Sequence, residues 1–159
     1  MENKQFDFHE IETFADACMR LGISAESLHV DSLGDKEAFL QANALYKLLI
    51  IQKAINNDKW RDEEGWSYYP YWKLYSKDEM ESMSEEEKQR KGIKQLLSYA
   101  NSDYAGVARV RCALAIYRGE HTSTNFGFPL CFNSEEAARY AAKQFEDLFF
   151  QYYGIKVKE

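Results

Sequence analysis

The sequence predicts an α+β fold: a small antiparallel sheet of about three strands with helices packed on one of its faces. Three observations point there. Residues 105–117 and 126–132 alternate in character, which is the period of half-buried strands. Apolar side chains recur at helical spacing near both ends of the chain. The elements run helix, helix, strand, helical insert, strand, strand, helix, and so few strands need the helices to complete a core.

The first helix opens on Thr13-Phe14-Ala15-Asp16, the form of a capping box. Phe14, Ala17, Cys18 and Leu21 then share one face, and Gly22 offers a left-handed stop. Residues 24–36 read as a loop. From Glu37 to Asn57 there is no Gly or Pro, and Leu48-Leu49-Ile50-Ile51 is apolar all round. Such a helix is expected to be buried on more than one side. A polar, tryptophan-bearing loop leads to Tyr68–Tyr75, dense in strand formers. Pro70 has no amide proton to give, so this is expected to be an edge strand.

The insert carries Ser84-Glu85-Glu86-Glu87 as a second cap, with Glu86/Arg90 and Glu87/Lys91 at i, i+4. Past Gly92, the spacing of Ile93, Leu96, Leu97 and Ala100 predicts a further helical stripe. Val110, Cys112, Leu114 and Ile116 alternate with Arg109, Arg111, Ala113 and Ala115. After a turn, Phe126, Phe128, Leu130 and Phe132 alternate with smaller residues, leaving Cys131 on the less buried side. A last helix starts at the Ser134 cap, packs Ala137, Ala141, Phe145, Leu148, Phe149 and Tyr152 inward, and stops at Gly154.

A chain of 159 residues with 45% hydrophobic and 15% aromatic content is expected to be a single domain, 1–159, with an acidic helical insert at about 76–104. The net charge of −6 disfavours nucleic acid, whose binders draw affinity from phosphate neutralisation. No apolar run is long enough to cross a bilayer, so no membrane partner is expected. The opening MENKQFDFHE lacks an apolar signal core, which points to the cytoplasm.

Cys18, Cys112 and Cys131 form no CxxC pair, and His9, His29 and His121 lie far apart. Neither metal nor cofactor is expected. Nothing brings His121 to Cys131 as base and nucleophile. The acids from Asp78 to Glu87 lack the alternation of a calcium loop, and Glu146 and Asp147 diverge on their helix. No phosphate-loop, dinucleotide or nucleophile-elbow motif occurs. An enzymatic role is therefore not favoured.

The feature above background is the outer face of the sheet. With Trp72 and Leu74 in the core, Tyr69, Tyr71, Lys73 and Tyr75 face away from it, beside Arg109 and Arg111 on the neighbouring strand. Tyr and Arg are enriched at binding hot spots. This face is expected to bind a protein partner or a second copy of the chain, unless the 76–104 insert covers it. Two other readings stay open. One is a single-stranded nucleic-acid platform on the same residues. The other is a small enzyme or ligand-binding protein with a cleft lined by Trp60, Trp66 and the insert.

Tyr46-Lys47-Leu48 through Ala54-Ile55-Asn56, the Tyr68-Tyr69-Pro70-Tyr71-Trp72 block, and Leu130-Cys131-Phe132 leading into Ala138-x-Tyr140-Ala141-x-Lys143-Gln144-Phe145-Glu146-Asp147 form a recognisable set. With Phe14-Ala15-Asp16-Ala17-Cys18 to Leu21-Gly22-Ile23, it resembles an uncharacterised small domain family found in gut bacterial genomes and their phages and mobile elements. The likeness spans nearly the whole chain and departs at 76–104. It implies a phage or mobile-element setting and carries no activity.

Overall fold

The computed structural model describes residues 6–25, 35–58, 65–98, 103–108, 112–118 and 130–158. After a 3₁₀ turn at Phe8–Glu10 come helices α1 (Phe14–Leu21) and α2 (Lys36–Ile55). Strands β1 (Gly65–Tyr71) and β2 (Leu74–Ser76) precede helices α3 (Lys77–Ser82) and α4 (Glu85–Lys91). Strands β3 (Ile93–Ser98), β4 (Tyr104–Ala108) and β5 (Cys112–Arg118) follow, then α5 (Glu135–Gln144), α6 (Glu146–Tyr152) and β6 (Lys156–Val157). The class is α+β, as the periodicities require.

The caps behave as the sequence implies. In α1, Thr13 accepts from the Asp16 amide at 3.1 Å, the Asp16 carboxylate accepts from the Thr13 amide at 2.7 Å, and Gly22 closes the helix at φ 65°. α2 begins on Asp35, which accepts from the Glu37 and Ala38 amides. It touches α1, α5 and α6, burying Ala44, Leu48, Ile51, Ala54 and Ile55. Of these, Leu48, Ile51, Ala54 and Ile55 form the main core with Phe132, Ala138, Ala141, Phe145 and Phe149.

The terminal helix keeps its inward stripe but is two helices. Phe145 leaves the helical region at φ −116° and ψ 27°, which turns α6 away from α5. Phe149 stays in the main core, while Phe150 enters a second one with Leu96 and Val107.

The sheet is more divided than the periodicities predict. Among the described residues there are two: a β1–β5 pair, and a four-stranded sheet in the order β2-β4-β3-β6. Residues 68–75 do not run as one strand. Pairing passes from Tyr71↔Cys112 to Leu74↔Val107, and Trp72 and Lys73 lie between the ladders. The Trp72 ring packs on Phe149, Phe150 and Tyr153, which turns the chain out of the first sheet at that point. Residues 105–117 split likewise into β4 and β5.

The expected helix after Gly92 is the strand β3. Gly92 sits at φ 61° and ends α4, and Ile93 to Gln95 then pair with Ala108 to Gly106. Apolar residues at 93, 96 and 97 fit either period. The backbone partners on offer, β4 on one side and β6 on the other, decide for the strand. The four-stranded sheet is therefore covered on both faces rather than one: Phe150 of α6 lies beneath Leu96 and Val107, and α3 lies on the reverse face.

The strand expected at 126–132 falls mostly outside the described residues. Its end is visible as a single bridge, where Tyr68 and Phe132 exchange amide–carbonyl bonds of 2.9 and 2.7 Å. In that register Pro70 would be the next donor toward Leu130. It has no amide proton, so the ladder stops after one pair. Among the described residues, no helix is long and apolar enough to cross a membrane.

Candidate functional site

The candidate face begins on β1, where alternation sends neighbouring side chains to opposite sides. Tyr68 is partly buried against the main core, and Trp72 and Leu74 pack on the second. Between them Tyr69 and Tyr71 are half-buried, and among the described residues Tyr71 packs on neither core. Lys73 is exposed.

Tyr75 does not remain available. It is 2% exposed, because α3 and α4 close over that part of the sheet. Its cross-strand neighbour is Gly106, and Met80 of α3 occupies the space a side chain there would fill. The Lys73 ammonium lies 4.3 Å from the centre of the Tyr75 ring and the Lys91 ammonium 5.9 Å. The insert thus covers one tyrosine of the expected set, and sets the Lys91 cation beside its ring.

Glu79 fixes Lys73 further, at 3.2 Å. The Glu79 carboxyl is held below its ordinary value, first by the Ser76 amide and then by Lys73. The Lys73 charge is thus already matched by an acid, which weakens its use as a phosphate contact. Arg109 and Arg111 lie outside the described residues, as do Trp60, His29 and His121, and the Trp66 side chain. The Trp-lined cleft and the arginine half of the face are readings of the sequence alone.

Cys131 corrects an expectation. It is 2% exposed rather than on the wetter side of a strand, because its segment is drawn inward by α2. Gln52 and Asn56 donate side-chain amide protons to the Cys131 carbonyl at 2.6 and 3.0 Å, and Asn56 accepts from the Asn133 amide at 3.1 Å. Burial also pushes the Cys18 thiol up, away from thiolate character. Among the described residues, no group of three His, Cys, Asp or Glu side chains could hold a metal ion.

A concave site that the sequence did not reveal lies on α5, where its outward side meets the 3₁₀ turn. His9, Glu135, Glu136, Arg139, Tyr140 and Lys143 line a groove of about 470 Å³. Only the i, i+4, i+7 spacing of Glu136, Tyr140 and Lys143 could have hinted at it. The docking of residues 8–11 onto that stripe is a tertiary event. Comparison with family models, curated proteins and solved structures yields no match in any of the three.

Proposed function

We propose that this chain is a non-enzymatic interaction or structural module. It binds a protein partner or a second copy of itself through the face formed by Tyr69 and Tyr71 of β1 and by Lys73 just beyond it. The setting is the phage or mobile-element context that the sequence resemblance implies. One observation supports this above others: among the described residues Tyr71 packs on neither core, although Trp72 beside it packs inward. Two phenols on one rigid strand offer large contact area at small entropic cost. Tyr75 drops out of the contact set, and Arg109 and Arg111 stay in it on the pattern of the sequence.

Sedimentation velocity across a wide concentration range, with crosslinking in the native host extract, tests the reading. The parent chain is expected to self-associate or to give one dominant crosslinked partner. The Tyr69→Ser, Tyr71→Ser variant is expected to lose that species while keeping the parent's circular dichroism. Tyr71→Phe serves as the folding control. A strictly monomeric parent whose crosslinks survive the double variant would sink the proposal.

A further inference from the structure

The groove on α5 is built before any ligand arrives. The Tyr140 hydroxyl donates toward the carbonyl oxygens of His9 and Ile11, at 3.1 and 3.0 Å, which ties the 3₁₀ turn to the helix. The His9 ring meets Tyr140 edge-on with centroids 4.9 Å apart and lies 4.3 Å from the Phe8 ring. Asp7 holds His9 Nδ1 at 2.8 Å. Those contacts lock the imidazole and phenol as a fixed aromatic floor, so little rotamer freedom remains to be lost on binding.

The charges around that floor are unevenly matched. Glu135 and Arg139 satisfy each other at 2.6 Å. Glu136 is 75% exposed at its side chain, with His9 Nε2 4.0 Å away. Lys143 is exposed, and no ion pair joins it to an acid among the described residues. Glu136 and Lys143 are seven positions apart on the same stripe, about 10.5 Å along the helix axis. The groove is therefore an aromatic floor with a negative site at one end and a positive site at the other.

A polyproline II segment matches that spacing. With three residues per turn and a rise of 3.1 Å, side chains at i and i+3 project on one side about 9.3 Å apart. Its apolar middle packs on aromatic floors without folding first. A β-strand fits less well, since its i and i+3 side chains point to opposite faces. We propose that the α5 groove docks a polyproline II segment of a partner protein. That segment carries a basic residue at Glu136 and an acidic one, three positions away, at Lys143. The groove lies on the outward side of α5 and shares no residue with the tyrosine face, so it survives if that face proves inert.

The test is a titration of ¹⁵N-labelled full chain with an acetylated, amidated proline peptide containing Arg-Pro-Pro-Glu. The control replaces both charges with Gln. Amide shifts are expected to be confined to residues 8–11 and 135–143, and the neutral control should bind at least about fivefold more weakly. Glu136→Lys and Lys143→Glu should each weaken the charged peptide by a similar factor. Both positions are exposed, so folding is retained. The double reversal should restore binding, because a polyproline II ligand can lie in either direction. Absence of shifts, equal binding of the neutral peptide, or indifference to both reversals overturns the proposal. So does saturation by an Arg-Glu dipeptide alone, which would make the groove a small-zwitterion site.

Discussion

Lys94 on β3 and Glu146 at the first turn of α6 meet at 2.5 Å, with the Trp72 indole donating to the same carboxylate at 3.4 Å. The pair joins the four-stranded sheet to the helix beneath it. The Lys94 ammonium also lies 5.3 Å from the Phe150 ring. Glu146 keeps 17% and Lys94 35% of its side-chain surface, so the bond is neither fully wet nor fully dry. Replacing Lys94 with Met is expected to cost about 1–2 kcal/mol, between exposed and buried pairs. A double-mutant cycle with Glu146→Gln should return a coupling near ~1 kcal/mol in urea melts. Additive effects would mean that the two side chains act separately.

Gly106 on β4, beneath the insert, is expected to tolerate no side chain without repacking. A methyl group there would stand 2.5 Å from Met80 Sδ and 2.9 Å from Ile93 Cγ2. Met80 can swing aside, but Ile93 is held by its strand. Gly106→Ala should therefore destabilise by about 1–3 kcal/mol, the usual range for overpacking. Because Met80 covers the face that holds Tyr75, hydrogen exchange in residues 77–91 should rise more than exchange in α2. Uniform acceleration across the chain would show that α3 is not the part displaced.

Local chemistry made the helices legible. Thr13, Ser134 and Gly22 mark boundaries by hydrogen-bonding rules that act over a few residues, and the structure keeps them. The period of Ala137, Ala141, Phe145 and Phe149 likewise located a buried stripe, though the bend at Phe145 left no mark in it. The divided sheet was less legible. Nothing in the local pattern of 68–75 tells that Trp72 leaves one ladder for another, since that follows from the docking of its ring on α6. Tyr75 reads as an outward side chain by parity, and outward it is, but the insert lies above it. The α5 groove depends on a contact spanning more than 120 positions, from His9 to Tyr140, which no short window contains.

The clasp at the end of α2 should be costly to open. Asn56 is 3% exposed and satisfies both the Cys131 carbonyl and the Asn133 amide. Asn56→Ala removes at least these two hydrogen bonds, one of them from the half-buried Asn133 amide, a loss of about 2–3 kcal/mol. The Tyr68–Phe132 bridge is the next contact along that segment, so its amides should lose protection first. Denaturant melts read the total, and exchange at Phe132 reads the location. Unchanged protection at Phe132 would place the loss elsewhere.

Acid should weaken the fold partly through its capping boxes. The Asp16 carboxyl is held below its ordinary value, first by the Thr13 hydroxyl and then by the Thr13 amide. Glu79 is lowered in the same sense. A carboxylate whose folded value is depressed binds fewer protons folded than unfolded near its titration. Its contribution is therefore complete above the unfolded value, about 3.9 for Asp and 4.3 for Glu, and is lost as pH falls through the folded one. Asp16→Asn should melt below the parent at neutral pH, and the gap should close as pH drops beneath about 4. Thermal melts at a series of pH values follow that gap. A difference that stays constant down to the lowest pH would mean that the Asp16 charge takes no part in holding α1.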